Sequence, residues 1–192
     1  MKIWCATGNP GKLREFRLAG NVLNIEVEAL PDLKSIPAPE ETGSTFEANA
    51  ILKAEYYSRY APGPLFADDS GLEVDALGGA PGVYSARYAG PEATDEANNT
   101  RVLEELASQT NRAARFVCVI ALAENGKCIH TFRGTVEGEV LYEARGPGGF
   151  GYDPLFYYPP FGCSFGEVEG EKKFAVSHRG NALRLLLRFL SA

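Results

Sequence analysis

The chain has 192 residues, of which 45% are hydrophobic and 23% charged, an ordinary balance for a globular protein with a sizeable core. Its formal net charge of −6 disfavours broad binding to nucleic acid or to an anionic membrane, since both attract a positive surface. No apolar run approaches the roughly 20 residues of a transmembrane helix, and the first residues do not resemble a signal peptide. The four scattered cysteines predict free thiols in the reducing cytoplasm rather than disulfides or a zinc site.

The first part of the chain predicts an α/β unit. A short buried strand over residues 2–6 is followed by a Gly-rich turn and by a helix over residues 12–18, and a second strand is predicted over residues 25–30. Strand, turn and helix in this order are typical of folds in which helices pack on a sheet.

The turn between this strand and helix, Thr7-Gly8-Asn9-Pro10-Gly11-Lys12, has features that favour phosphate binding. Its glycines let the backbone approach an anion, the helix N-terminus supplies free N–H groups, and the lysine adds positive charge. The glycine spacing is not that of a Walker A loop. An ordinary strand-to-helix turn is the alternative interpretation.

Ser44 and Glu47 have the spacing of a capping box, which predicts a second helix running to about residue 60. Glu40 and Glu41 precede it. They either supply a carboxylate to a metal ion or form an acidic lead-in that the helix dipole favours.

The most informative stretch is Phe66-Ala67-Asp68-Asp69-Ser70-Gly71. A short buried strand over residues 65–67 is expected to deliver both aspartates to its C-terminal end, where α/β sheets usually bind ligands. Two adjacent carboxylates are costly to bury unless a cation neutralises them, and Mg²⁺ commonly binds one or two carboxylates together with substrate phosphates. The sequence therefore points to metal-assisted phosphate chemistry, with an exposed Asp-Asp turn as the alternative.

The second half of the chain predicts antiparallel strands. Residues 116–122 alternate as a half-buried strand, and Asn125-Gly126 predicts a tight hairpin turn into a strand over residues 129–133. Residues 136–141 are predicted as a third antiparallel strand. Together with the early βα units, this pattern predicts a mixed sheet flanked by helices.

Thr94 or Asp95 is expected to cap one further helix and Ser177 another. Near the start of the last helix lie Lys172, Lys173, His178 and Arg179. This cluster is either a solvated polar face or a clamp for phosphate and base, because arginine makes bidentate contacts and lysine supplies a point charge.

Residues 146–151 formally match a dinucleotide-binding fingerprint, but Tyr152-Asp153-Pro154 follows and cannot continue as a helix. A loop that presents Phe150, Tyr152 and Asp153 is expected instead. An aromatic ring beside a carboxylate suits base recognition, since one stacks on the base and the other accepts its hydrogen bonds. Aromatic packing under a Gly-rich loop is the alternative.

These motifs occur together in the order typical of one family. They are Thr7-Gly8-Asn9 with Lys12, Glu41-Thr42-Gly43 with Phe46 and Asn49-Ala50, Asp68-Asp69-Ser70-Gly71-Leu72, Gly78-Gly79-Ala80-Pro81-Gly82 with Tyr84-Ser85-Ala86-Arg87, Gly149-Phe150-Gly151-Tyr152-Asp153-Pro154, and Ser177-His178-Arg179-Gly180. The chain thereby resembles the non-canonical purine NTP pyrophosphatases, which include the dITP/XTP and inosine triphosphate pyrophosphatases.

The resemblance implies a cytoplasmic homodimeric enzyme that hydrolyses ITP, dITP and XTP to the monophosphate and pyrophosphate with Mg²⁺. It implies a single domain over residues 1–192, an α/β fold with an elongated mixed sheet, and two lobes with a central cleft for the substrate. Asp69 would be both a Mg²⁺ ligand and the proton acceptor, and Glu40 or Glu41 would be the other acidic metal ligand.

The resemblance also implies a set of substrate contacts. The triphosphate would be held by Thr7, Gly8, Asn9, Pro10, Gly11 and Lys12, assisted by Lys53 and Lys173. The rest of the nucleotide would contact Ser70, Phe150, Gly151, Tyr152, Asp153, Lys173, His178 and Arg179.

Two other functions compete with this expectation. One is a Maf-like pyrophosphatase acting on canonical or modified pyrimidine nucleotides, against which the late Phe150 to Asp153 and Ser177 to Arg179 segments argue. The other is a catalytically silent nucleotide-binding module, against which the full set of carboxylates and lysines argues. A nucleic-acid binder is disfavoured by the acidic balance and the lack of a basic stripe.

Overall fold

The computed structural model describes residues 1–22 and 24–192. Its helices and strands, in chain order, are β1 (Lys2–Cys5), α1 (Pro10–Val22), β2 (Glu26–Ala29), α2 (Phe46–Ser58), β3 (Leu65–Val74), α3 (Asp95–Glu105), β4 (Ala113–Glu124), β5 (Lys127–Val140), β6 (Phe156–Tyr158), β7 (Cys163–Ser164), α4 (Gly170–Val176) and α5 (His178–Leu190). Short 3₁₀ turns connect several of them. In this part of the chain, none of the helices has the length and apolar character needed to span a bilayer.

The strands of the described residues form one seven-stranded sheet in the order β2-β1-β3-β4-β5-β6-β7. β1 pairs in parallel with both β2 and β3, whereas β6 pairs antiparallel with β5 and β7. The predicted mixed sheet flanked by helices is therefore confirmed.

The chain divides into two compact units. The first comprises residues 1–69, 118–134 and 177–192, and the second comprises residues 70–117 and 135–176. In the first, α1 packs against α5 and the rings of Phe16 and Phe66 meet edge to face at 5.0 Å. In the second, β4, β5 and α3 enclose an aromatic core. Apolar burial of this kind is the main driving force for folding each unit.

The strand that carries the two aspartates continues farther than the sequence predicts. β1 ends at Cys5, which pairs with Phe66, whereas β3 runs on beside β4 for a total of ten residues. Asp68 and Asp69 therefore lie inside β3, past the end of β1, and the expectation of a strand ending at residue 67 is wrong. A non-local partner, β4, provides the backbone hydrogen bonds that extend the strand.

The two long strands also differ from prediction. Residues 116–123 of β4 are all buried, so the half-buried strand expected there is wrong. β5 is one strand of 14 residues where two were expected. Gly134 does not interrupt it; a Cβ there would lie 2.9 Å from the Asn181 Cβ, so the glycine permits close packing on α5. The predicted hairpin turn is confirmed, with φ of 51° at Asn125 and 78° at Gly126.

Side-chain caps begin three of the long helices. Thr94 and Ser177 accept hydrogen bonds from the backbone N–H three residues on, as predicted. The cap of α2 is Thr45, which accepts from the Ala48 N–H at 3.1 Å, so the expected capping box starting at Ser44 is wrong by one residue. The short helix α4 was not predicted.

Candidate active site

The loop after β1 folds around Asn9. Its Oδ1 accepts hydrogen bonds from the backbone N–H groups of Gly11 and Lys12, at 2.9 and 3.1 Å, and its own N–H donates to the Thr7 hydroxyl. The helix α1 therefore begins at Pro10, a residue suited to a first helical turn because it lacks an N–H. The N–H groups expected to be free for an anion at this helix start are already bonded to Asn9. That expectation is wrong, and Lys12 supplies the positive charge of the loop.

Lys12 is paired with the first aspartate of β3. Its Nζ donates a hydrogen bond of 2.8 Å to Oδ2 of Asp68, whose side chain is buried. Burial raises the pKa of the Asp68 carboxyl, but the cations Lys12, Arg179 and Lys53 outweigh it and hold that pKa below its usual value. Asp68 is therefore an ionised anchor for the lysine.

The second aspartate has the opposite electrostatics. Asp69 is 7% exposed, and burial raises its pKa by more than the neighbouring Lys53 lowers it, with Glu41 and Asp68 adding to the rise. Its Oδ1 lies 3.3 Å from the Lys53 Nζ. Among the described residues, Oδ2 is buried with no hydrogen-bond partner. Adjacent carboxyls whose pKa values are pushed apart are typical of sites that separate anchoring from proton transfer.

Lys53 joins a third carboxylate to this cluster. Its Nζ lies 3.3 Å from Oε1 of Glu41, the same distance as from Asp69. Burial lowers the pKa of Lys53, but the surrounding carboxylates outweigh it and raise that pKa. Glu40 is exposed and lines a groove together with side chains of α2. The structure therefore brings Glu41 to the cluster and not Glu40.

Asn49 holds the segment that carries Glu41. Its Oδ1 accepts a hydrogen bond of 2.8 Å from the Gly43 N–H, and the side chain is fully buried on α2. Sequence reasoning did not place Asn49 in the site. The available signal was a polar residue between Phe46 and Ala50 on the apolar face of a predicted helix.

The carboxylates meet the requirements of a hard cation. In the part of the chain that the structure covers, no three His, Cys, Asp or Glu side chains converge as a protein-only metal centre. Mg²⁺ needs only one or two carboxylates when substrate phosphates complete its oxygen shell. Asp69, whose buried Oδ2 is unpartnered among these residues, and Glu41 are the two carboxylates that fit.

Three of the four side chains in the polar cluster near the start of α5, those of Lys173, His178 and Arg179, are buried. His178 and Arg179 are 2% and 5% exposed, so the solvated-face interpretation is wrong for them. Arg179 Nη1 donates a hydrogen bond of 3.0 Å to Oε2 of Glu15, which lies with Phe16 and Ala19 on the buried face of α1. Glu15 was missed in the sequence, although a carboxylate among buried helix positions signals a cationic partner.

In the second unit, Asp153 and Lys173 form a buried ion pair of 2.6 Å between Oδ2 and Nζ. The same carboxylate oxygen accepts the Phe150 N–H at 3.0 Å, and the Lys173 Nζ lies 5.0 Å from the centre of the Phe150 ring. Phe150, Asp153 and Lys173 are thus brought together, with the Asp153 carboxylate buried between Lys173 and the Phe150 N–H. Lys172 is exposed and lies outside this group.

Tyr152 does not present its ring as expected. The side chain is 5% exposed, and its hydroxyl donates a hydrogen bond of 2.7 Å to the Ser85 carbonyl. Aromatic packing is therefore the correct interpretation for Tyr152, whereas Phe150 is half-buried. Ser85 also accepts the Leu72 N–H at 2.9 Å, which secures the strand just after Ser70.

Comparisons with known proteins agree on one family. The model of the Ham1 family matches residues 3–189. A protein of an Exiguobacterium species named dITP/XTP pyrophosphatase is 53% identical over 186 residues, which cover 97% of this chain and 95% of that protein. A protein of the same name from Thermus thermophilus is 49% identical, with 97% and 90% covered.

Solved structures give the same result. The Staphylococcus aureus Ham1 protein has a TM-score of 0.88 and 43% identity, and the match covers 100% of this chain and 98% of that one. A HAM1 protein from Coxiella burnetii has a TM-score of 0.89, with the same identity and coverage. The chain belongs to the Ham1 family.

Proposed function

We propose that this chain is a nucleoside triphosphate pyrophosphatase that hydrolyses ITP, dITP and XTP to the monophosphate and pyrophosphate. The observation that carries the proposal is the environment of Asp69, a buried carboxyl of raised pKa that has one oxygen on Lys53 and the other unpartnered among the described residues. The names of the relatives, dITP/XTP pyrophosphatase, support the substrate class. The single family match over residues 3–189 supports one functional domain over residues 1–192.

Asp69 is the proton acceptor in this proposal. Its carboxylate takes a proton from water while the water oxygen bonds to the α-phosphorus and the bond from that phosphorus to the pyrophosphate oxygen breaks. A carboxylate can act as the base here because a water beside a bound Mg²⁺ would be more acidic than bulk water. Lys53 holds Oδ1 and fixes the orientation of the carboxylate.

Asp69 and Glu41 are the proposed Mg²⁺ ligands, and the ion pair of Glu41 with Lys53, which also contacts Asp69, supports the choice of Glu41 over Glu40. A bound Mg²⁺ supplies charge neutralisation at the phosphates and polarises their oxygens. The phosphates themselves are bound by the loop over residues 7–12, and Lys12, fixed by Asp68, supplies its cation.

Base selection follows from hydrogen-bond complementarity. Hypoxanthine and xanthine carry an oxo acceptor at the 6-position, where adenine carries an amino donor. We assign Phe150 to stacking, and Lys173, His178 and Arg179 to donating hydrogen bonds to the nucleotide. A site built on hydrogen bonds to the base gives discrimination of about 10⁴-fold.

A homodimeric, cytoplasmic enzyme without nucleic-acid partners completes the proposal. The four cysteines, all within the described residues, are free, which is usual in a reducing compartment. The net charge of −6 supports a small anionic ligand bound at local cations rather than a nucleic acid.

The substrate class is tested by kcat/KM for ITP, XTP, GTP, ATP and dTTP with Mg²⁺, from the rate of pyrophosphate release. We expect ITP and XTP to exceed ATP by about 10⁴-fold, in line with a site built on hydrogen bonds to the base. Equal values across the purines would contradict the assigned base contacts. A preference for dTTP would favour the Maf-like alternative, and no turnover of any nucleotide would favour a silent binding module.

A further inference from the structure

The loop that carries Phe150 is held from outside by one face of α3. The Gly151 N–H donates a hydrogen bond of 2.8 Å to Oδ2 of Asp95, and Nδ2 of Asn99 donates one of 3.1 Å to the Gly151 carbonyl. Asp95 and Asn99 are one helical turn apart and therefore share a face of the helix. The N–H and the carbonyl of Gly151 are thus both hydrogen-bonded to side chains of α3.

The loop needs such support because its own backbone is permissive. Gly149 and Gly151 flank Phe150 with φ of 72° and 61°, a region that glycine enters freely but does not prefer strongly. Inside the loop, the Phe150 N–H is fixed by Asp153. Gly151, on the other side of the ring, is fixed by α3.

The helix that supplies the two side chains is itself anchored. Asn98 lies between Asp95 and Asn99 in the sequence, and its side chain is buried. Its Oδ1 accepts a hydrogen bond of 2.8 Å from the Ala89 N–H, and its Nδ2 donates one of 3.2 Å to the Ala86 carbonyl. The turn over residues 86–89 follows Ser85, whose carbonyl accepts the Tyr152 hydroxyl. Through Gly151 and Tyr152, the loop is thus hydrogen-bonded to α3 and to the turn that α3 holds.

We propose that Asp95 and Asn99 are positioning residues for base recognition: they hold Gly151 so that the Phe150 ring is ordered before the nucleotide binds. The inference rests on the proposed function, in which Phe150 stacks on the base. Without the two contacts the loop is ordered only on binding, and that cost weakens binding of the substrate. The proton acceptor and the phosphate contacts are unchanged, so kcat is unaffected.

The experiment compares Asp95→Ala with Glu96→Ala, because both remove one carboxylate from the first turn of α3 and only Asp95 accepts from Gly151. Asp95→Asn keeps an oxygen acceptor and serves as the conservative rescue. Asn99→Leu removes the donor while keeping the side-chain volume. Thermal unfolding confirms that each variant is folded; Asp95 is exposed, so its replacement spares the core.

Two readouts are used. Hydrogen exchange of the amides of residues 150–152 in the nucleotide-free protein should accelerate in Asp95→Ala and Asn99→Leu, but not in Glu96→Ala. KM for ITP should rise about fivefold in Asp95→Ala and in Asn99→Leu, the equivalent of one hydrogen bond, while kcat stays unchanged. Asp95→Asn should have a KM close to that of the wild type.

The outcomes separate this inference from the function beneath it. If the wild type hydrolyses ITP but Asp95→Ala and Asn99→Leu leave either KM or the amide exchange of residues 150–152 unchanged, the positioning role alone is overturned. A fall in kcat at unchanged KM, or an equal effect of Glu96→Ala, would overturn it as well. If the wild type cleaves none of the purine triphosphates, the proposed function fails and this role fails with it.

Discussion

The ammonium of Lys12 donates a hydrogen bond of 2.8 Å to Oδ2 of Asp68, and this pairing gives two adjacent aspartates different roles. Asp68 is committed to the lysine and has a lowered pKa, whereas Asp69 has a raised pKa and an unpartnered Oδ2 among the described residues. The difference arises from the neighbours of each side chain, because both residues lie in the same strand and both are buried.

Replacing Asp69 should remove the chemistry without removing the substrate. We expect Asp69→Asn to lower kcat for ITP by about 10² to 10⁴-fold, the usual contribution of a general base, while ITP still binds. Steady-state kinetics and calorimetric titration with ITP measure the two quantities. Unchanged turnover would remove Asp69 from the mechanism.

Replacing Asp68 is the matched control for that variant. Asp68→Asn leaves the Asp69 carboxylate in place but takes the charged partner from Lys12. We expect KM for ITP to rise about tenfold, as for a lost charge-assisted hydrogen bond, with a much smaller change in kcat than in Asp69→Asn. A loss of kcat as large as that of Asp69→Asn would show that the two carboxyls do not have separate roles.

The two glutamates before α2 provide a test of the metal ligand. Glu41→Gln should raise the Mg²⁺ concentration needed for half-maximal activity by about tenfold or more, because a neutral amide is a weaker ligand. Glu40→Gln removes the same charge from an exposed neighbour and should leave that concentration unchanged. The interpretation is wrong if Glu40→Gln has the larger effect on the Mg²⁺ titration.

Gly71 is predicted to be intolerant of any side chain. A Cβ there would lie 2.6 Å from the Gly82 carbonyl oxygen and would also meet the Ser85 hydroxyl. Gly71→Ala should therefore lower the free energy of unfolding by about 2 kcal/mol through overpacking. Gly170→Ala, where no atom lies within 4 Å of the new Cβ, is the control and should change it by less than about 0.5 kcal/mol. Denaturant unfolding measures both, and equal stabilities would contradict this packing.

The cysteines should differ in their reactivity towards a thiol reagent. Cys5 and Cys118 are buried, and burial raises the pKa of both thiols, so they should react only when the protein unfolds. Cys128 and Cys163 are partly exposed and should react in the native protein. Mass spectrometry of iodoacetamide-labelled protein identifies the modified residues. Rapid native labelling of Cys118 would contradict the buried core of β4.

Local features of the site were predictable, whereas tertiary partners were not. The aspartate pair, the Asn125-Gly126 turn and the Thr94 and Ser177 caps follow from short-range chemistry, and the structure contains them. The end of β3 was misplaced because its pairing with β4 joins residues far apart in sequence.

Roles set by a distant partner were also missed. Glu15 is recognisable only once Arg179 is beside it, and Tyr152 looked like a displayed ring because its bond to Ser85 spans much of the chain. The sequence offered Asp95 only as an alternative helix cap and gave Asn99 no role. Only the fold shows that Gly151 lies against them.

The central claim is attack of water on the α-phosphorus, and hydrolysis of ITP in H₂¹⁸O tests it most directly. The account predicts that mass spectrometry finds one ¹⁸O atom in the inosine monophosphate and none in the pyrophosphate. An ¹⁸O atom in the pyrophosphate, or release of inosine diphosphate and orthophosphate, would contradict it.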